Sequence, residues 1–389
     1  METNMTMVAC RILLGAMLTL LNLGVMSRAA APQQNIAGQN DVAGSDGPRV
    51  ENGKMEKRGV TGSWAATLAA TEKNATAPMW IGYTVKAVAG ERTICCGNYD
   101  DSLGEGCGRC ELEADHEHWN SSRKSKSAVK ATVKLEGSEQ LLVLFRLQGR
   151  RVTRIKVASE NCVLDMSGLP VVWFKDVKAA ESVALLSEYV RKNGAGERDG
   201  DSLGNTALTA IALHDGADAE ATLERFVAPG QPKELRKQAS FWLGAARGKE
   251  GFVALRRLGK SDTSTEVRAQ VAFALSVSKE SAALDEMIRM AHKDESAHVR
   301  GQAIFWLAQK AGKRAVGAID AAIENDPDTE VKKQAVFALS QLPKDEGVPK
   351  LIQVAQTNRN AAVRKQAMFW LGQTEDARAL DFFEKVLAN

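Results

Sequence analysis

Charge of one sign is what this sequence lacks most. Lys and Arg total 51 against 48 for Asp and Glu, which leaves a formal net charge of +3. An imbalance that small gives no argument for nucleic acid as a partner. Long hydrophobic runs are also scarce. The longest apolar stretch, Ile12 to Val25, is too short for a comfortable membrane span. Catalytic constellations are missing from the sequence: no Ser-His-Asp set, no paired carboxylates, no phosphate loop. Hydrophobic content, at 44%, is ordinary for a soluble protein, and 389 residues are enough for two domains or more.

What the chain has is repetition. The stretch EVRAQVAFALS, Glu266 to Ser276, recurs in varied form as ELRKQASFWLG, HVRGQAIFWLA, EVKKQAVFALS and AVRKQAMFWLG. Its anchor is Arg236, Arg268, Arg300, Lys332 and Arg364, each step being 32 residues. Gln238, Gln270, Gln302, Gln334 and Gln366 keep that step, as do Phe241, Phe273, Phe305, Phe337 and Phe369, and Leu243, Leu275, Leu307, Leu339 and Leu371. A strict period of this size predicts a stacked-repeat array.

Each repeat reads as two helices. At about 100° per residue, Val267, Val271, Ala274 and Leu275 fall within roughly 60° of a common direction, one buried stripe. Thr265 and Thr329 stand where N-caps belong, and Asp326-Pro327-Asp328 breaks one repeat from the next. The other helix carries Phe252, Leu284, Val316, Val348 and Leu380. Leu255, Met287, Ile319, Leu351 and Phe383 follow three residues on, which is the same face. Neither stripe can be buried within one repeat, so neighbours must stack. Residues 205–227 hold a degenerate copy in which Ala207 aligns with Ala239 and Ile211 with Leu243, suited to an N-terminal cap.

The pattern Val363-Arg364, Ala367, Leu371-Gly372 resembles the HEAT-repeat family in its short bacterial form, the PBS-lyase HEAT-like type. The resemblance covers Asn205 to Asn389. It implies an α-solenoid of HEAT-like helix pairs. Members of that family serve as protein-binding scaffolds and, in a few branches, as lyase subunits or hydroxylases. The His-Glu metal pairs of the hydroxylase branch are absent: His214, His292 and His298 are not followed by Glu.

The N-terminus reads as an export signal over 1–29. Arg11 is the positive flank, Ile12 to Val25 the apolar core, and Ser27-Arg28-Ala29 the cleavage site. Export makes the mature protein periplasmic or secreted; an uncleaved signal would make it membrane-anchored. Residues 30–59 are polar and aperiodic and read as a disordered tether. Residues 60–175 read as a small β-rich domain. Trp80 to Val85, Ala128 to Leu135, Gln140 to Leu147, Arg151 to Val157, Cys162 to Leu164 and Pro170 to Phe174 are its strands, with a hairpin turn at Gly149-Arg150. Residues 176–204 read as a helix and linker, and 205–389 as the array.

Cys95, Cys96, Cys107, Cys110 and Cys162 remain after cleavage. In an oxidising compartment they are disulfide candidates, and at least one of the five is unpaired or intermolecular. The rival reading is zinc on Cys95, Cys96, Cys107 and Cys110, or a redox-active pair. His116 and His118 read as solvated loop residues.

The basic ladder reads as structural, its stems packing beside the buried stripe and its heads pairing with a neighbouring repeat. The Gln ladder reads as amides bridging adjacent helices. Phe241 and its counterparts lie far round the helix from the buried arc. They read either as wedges between helices or as an exposed apolar strip, rimmed by Lys237, Lys333 and Lys365. Beside them Trp242, Ala274, Trp306, Ala338 and Trp370 alternate large with small, as interdigitating packing requires. The expectation is an exported, non-enzymatic scaffold that binds a protein or peptide on its concave face, without cofactor or nucleic acid. A lyase-like enzyme subunit and a metal or redox module in the Cys95–Cys110 loop are the alternatives.

Overall fold

The computed structural model describes residues 47–89, 109–113, 139–160, 162–195 and 202–388. The export signal, residues 30–46 of the expected tether, Cys95, Cys96, Cys107, His116, His118 and the strand expected over Ala128 to Leu135 lie outside them.

Two sheets form the N-terminal part. The larger has the order β2-β8-β3-β5-β6, built from β2 (Met55–Gly59), β3 (Met79–Lys86), β5 (Gln140–Gln148), β6 (Arg151–Ser159) and β8 (Val171–Lys175). β2, β8 and β3 run parallel; β3, β5 and β6 run antiparallel. β5 is apolar on both sides because both faces of the sheet are covered. Gly149 and Arg150, at φ 59° and 60°, make the left-handed two-residue turn that matches the twist of a hairpin. The smaller sheet, β1 (Val50–Glu51), β7 (Val163–Asp165) and β4 (Arg109–Glu111), covers one face. Cys110, Leu112, Cys162, Leu164 and Met166 meet Trp80, Leu142, Leu144 and Trp173 there. Gly82 is required at that interface, since a Cβ would sit 2.1 Å from the Trp173 ring.

Helices α1 (Trp64–Asn74) and α2 (Ala179–Asn193) cover the other face. The Trp64 ring lies 4.9 Å from Tyr83 and 5.3 Å from Phe174, both edge-on. Glu181 accepts the Trp64 backbone N–H at 2.6 Å, which ties α2 to the start of α1. The β-rich domain is thus layered, helices against the larger sheet and the larger sheet against the smaller. One boundary differs from expectation. The tether stops short of 59, because Val50–Glu51 and Met55–Gly59 are strands. β2 is an edge strand whose Glu-Lys-Arg run faces solvent, a pattern that protects an edge and hides the strand.

The array is α3 (Leu203–Leu213) followed by helix pairs: α4 (Ala217–Phe226) with α5 (Lys233–Ala246), α6 (Gly248–Ser261) with α7 (Thr265–Val277), and α8 (Ala283–Lys293) with α9 (Ala297–Ala311). Then come α10 (Val316–Asn325) with α11 (Thr329–Ser340), α12 (Lys344–Thr357) with α13 (Ala361–Gly372), and α14 (Ala377–Leu387). Helices α5, α7, α9, α11 and α13 pack closely on one another, whereas α6, α8 and α10 are more loosely apposed. The array therefore curves toward the first set, which is its inner layer. Val267, Val271, Ala274 and Leu275 are fully buried, and the counterparts of Val267, Val271 and Leu275 are buried along the array. Leu380, equivalent to the buried Leu284 and Val348, is 61% exposed, no helix among the described residues packing over it.

Charged rungs join successive pairs. Arg268 donates from Nε and Nη2 to the two carboxylate oxygens of Asp294 at 2.9 and 3.0 Å, and from Nη1 to the Asp262 carbonyl at 2.8 Å. Arg300 repeats this with Asp326 at 2.7 and 2.9 Å and the Asp294 carbonyl at 3.0 Å. Arg236 approaches Asp262 more loosely, at 3.4 Å. Each acid also accepts the backbone N–H two residues on, at 2.8 to 2.9 Å, and Asn358 does so at the next rung. Where Lys332 replaces Arg, Asn358 replaces Asp, and Lys332 donates to the Glu324 carbonyl at 2.8 Å. The helix caps also differ from expectation. Ser264 and Asp328 hold the extended cap conformation and accept the first free N–H groups, so Thr265 and Thr329 lie one residue inside.

Candidate functional site

The five phenylalanines lie on the inner helices, on the side away from the buried stripe. They do not stand apart. From Trp242 the ring centroids run to Phe241 (5.1 Å), Phe273 (5.7 Å), Trp306 (4.5 Å), Phe305 (4.8 Å), Phe337 (6.0 Å), Trp370 (4.9 Å) and Phe369 (5.0 Å). Phe241 stacks on Phe273 at 12°, and Phe305 on Phe337 at 3°. The larger tilts fall where a Trp enters. Ala274 and Ala338 are fully buried beside the rings, which is why Trp can be admitted only at alternate repeats. The rings thus pack against neighbouring helices and keep a partly exposed side. Phe241, Phe273, Phe305 and Phe337 are half-buried, and Phe369 is 52% exposed. Trp306 is buried; Trp242 and Trp370 are half-buried.

Rows of polar side chains flank the rings. Three residues before each Phe stands a Gln, none of the five being buried. The Gln334 amide lies against Gly301 of the preceding inner helix, so its side chain spans the groove between α9 and α11. The lysine rim is weaker than expected. Lys237 pairs with Glu234 at 3.0 Å and Lys333 with Glu330 at 2.9 Å, each within its own helix. Their charge is thus largely met locally, while Lys365 is exposed. Glu266, on the same side of α7, accepts from Ser264 Oγ at 2.7 Å and from Lys233 at 3.1 Å. These bonds, the Ser264 hydroxyl foremost, hold its carboxyl down at about 2.

A second polar cluster lies where the sheet meets the array. His214 ends α3 and bridges Ala87 just beyond β3. Its Nδ1 is 2.6 Å from the Ala210 carbonyl and must donate there. Nε2 therefore accepts from Ser182 Oγ at 2.8 Å, and Ser182 accepts in turn from the Tyr83 hydroxyl at 2.6 Å. Arg247 donates to the His214 carbonyl at 2.8 Å. Burial, with the Arg247 charge adding to it, pushes the imidazole down to about 4. The Ser182–His214 pair has the polarity of a nucleophile and its base. Both residues are fully buried, so a substrate has no route to them. The cluster joins domains.

The cysteines divide. Cys110 is disulfide-bonded. Cys162, also a disulfide candidate, is a buried thiol instead: it faces the apolar layer between the sheets, where burial pushes it up to about 11. Its low thiolate content gives it little reactivity. Among the described residues, no three His, Cys, Asp or Glu side chains gather as a metal-holding group.

Residues 317–389 match the family model of HEAT repeats. No curated protein sequence matches the chain. Among solved structures, the array resembles human deoxyhypusine hydroxylase in complex with glycerol, at 16% identity over 54% of this chain and 80% of that one, TM-score 0.28. It also resembles YibA of Escherichia coli, at 24% identity over 46% and 67%, TM-score 0.32. A third is the CpcE–CpcF complex of phycocyanin lyase from Nostoc sp. PCC7120, at 17% over 51% and 77%, TM-score 0.27. Similarity at this level carries no weight for activity or substrate.

Proposed function

We propose that this chain, whose C-terminal half is an α-solenoid of HEAT-like helix pairs, is an exported, non-enzymatic scaffold that binds a protein partner along its inner helices. The observation that carries the reading is the unbroken stripe of rings from Trp242 to Phe369. Its Phe rings keep a partly exposed side in each of five successive repeats, and apolar strips of that length are rarely left bare. The stripe lies on the more closely packed helices, and solenoids present extended binding surfaces on that layer. The α/β unit anchors the N-terminal end through the Tyr83, Ser182 and His214 chain. It covers the first array helix, as a cap must.

Replacing Phe273, Phe305 and Phe337 together by Ala tests the reading. Partner binding is expected to be lost while far-UV helicity is kept, because the fully buried stripe of each inner helix is untouched. Collapse of helicity would make the rings packing alone. Export and a disulfide staple at Cys110 belong to the same proposal. Intact mass with and without reductant and alkylation tests them: the expected chain begins at Ala30 and gains thiols on reduction.

A further inference from the structure

The rings and the glutamines together specify more than an apolar partner. We infer that the occupant of the inner face is an extended peptide segment, its alternate apolar side chains lying on the rings and its main chain hydrogen-bonded to the flanking amides. This rests on the scaffold reading above and names the conformation of the partner.

The first observation is unspent hydrogen-bonding capacity. Gln238, Gln270, Gln302, Gln334 and Gln366 are half-buried or exposed, and among the described residues none of their carboxamides makes a hydrogen bond to protein, although that of Gln334 packs against Gly301. A carboxamide offers two N–H donors and an acceptor oxygen. Five such groups stand in register along one side of the stripe. A segment running along the array therefore has rings beneath it and an amide row on one flank.

The second observation is geometry. In an extended chain, side chains point alternately up and down while N–H and C=O groups point sideways, left and right. Those are the directions in which rings and amides are offered. One extended dipeptide advances about 6.6–6.8 Å. Phe241 and Phe273 are 5.7 Å apart, and Phe305 and Phe337 6.0 Å. Each stacked pair thus spaces its rungs between one helical turn and one dipeptide, so the ring spacing alone does not choose between them. A helical partner would match the rings as well, since its turns are about 5.4 Å apart. Its main chain, however, is spent internally, and it would cover the amides without bonding them, leaving polar groups desolvated. The amides therefore decide for the extended form. The lysines contribute little to the choice, two of them being paired within their own helices.

The test uses the full-length protein and a phage-displayed library of random 12-residue peptides. Enriched sequences are expected to carry apolar residues at every second position. N-methylation of a main-chain amide in the best binder should weaken it at least tenfold, a change that leaves the protein untouched. Gln270→Ala/Gln302→Ala/Gln334→Ala should weaken it comparably with an unchanged melting temperature. Enrichment at spacings of three and four, or binding indifferent to N-methylation and to the Gln changes, would overturn the extended-peptide inference and leave the scaffold reading standing. No enrichment at all would count against both.

Discussion

Replacing Asp294 by Ala will strand a guanidinium. The Arg268 and Asp294 side chains are 5% and 4% exposed, joined by two hydrogen bonds of 2.9 and 3.0 Å. Breaking a buried pair by removing one partner typically costs about 3–5 kcal/mol. Losing the bond from Asp294 to the Ser296 N–H adds about 1 kcal/mol. One term works the other way. Glu295, 86% exposed, keeps a contact with Arg268 at 3.1 Å and can follow the orphaned charge. The expected loss is therefore about 3 kcal/mol, at the low end of the range. Arg268→Met should fall within about 1 kcal/mol of it, and Arg268→Met/Asp294→Leu should lose only about 1 kcal/mol, because no buried charge is then left stranded. Lys332→Ala is the control, because that rung has Asn358 where the others have Asp, and it should lose under about 1 kcal/mol. Urea unfolding followed by far-UV circular dichroism reads all four variants. If Asp294→Ala costs no more than Lys332→Ala, the rungs are not what holds successive pairs together.

Three further outcomes follow from the packing. His214 titrates near 4 when folded against an ordinary 6.5, so the unfolded chain binds the extra proton; stability should fall as pH drops through that window, by up to about 3 kcal/mol, and His214→Gln should remove that slope in urea midpoints taken between pH 7 and pH 4. Gly82→Ala puts a methyl group against the Trp173 ring, and should lower the melting temperature through an overpacking penalty of about 1–3 kcal/mol. Cys162 should resist iodoacetamide at pH 8 in the native protein and react once unfolded, because its thiol titrates near 11.

The array was legible because its period is strict and its buried positions recur at fixed steps. The Arg ladder reads from the sequence as structural, but its partners do not stand out. Asp262, Asp294 and Asp326 share the 32-residue step, but Asn358 breaks the identity and the positions lie in loops, where polar residues draw no notice. The neutralised lysine rim was readable: Glu234 and Glu330 stand three residues before Lys237 and Lys333. The α/β unit was harder. Its first helix, α1, is rich in Ala and only weakly amphipathic, and its edge strand β2 is almost wholly polar. The His214 junction joins residues far apart in sequence, and no local pattern announces it. Of the candidate site, the Phe positions were visible, but their linkage into one stripe depends on Trp rings reaching across to the preceding repeat.

The most direct test places a benzophenone side chain at Phe305, on the inner helices, and separately at Val253, which is 55% exposed on outer helix α6. Each variant is irradiated in its native cells. Adducts of one defined mass from position 305, absent from 253 and competed by the selected peptide, are the predicted result. Equal labelling from both positions, or adducts from 253 alone, would contradict the claim that the aromatic stripe is the binding face.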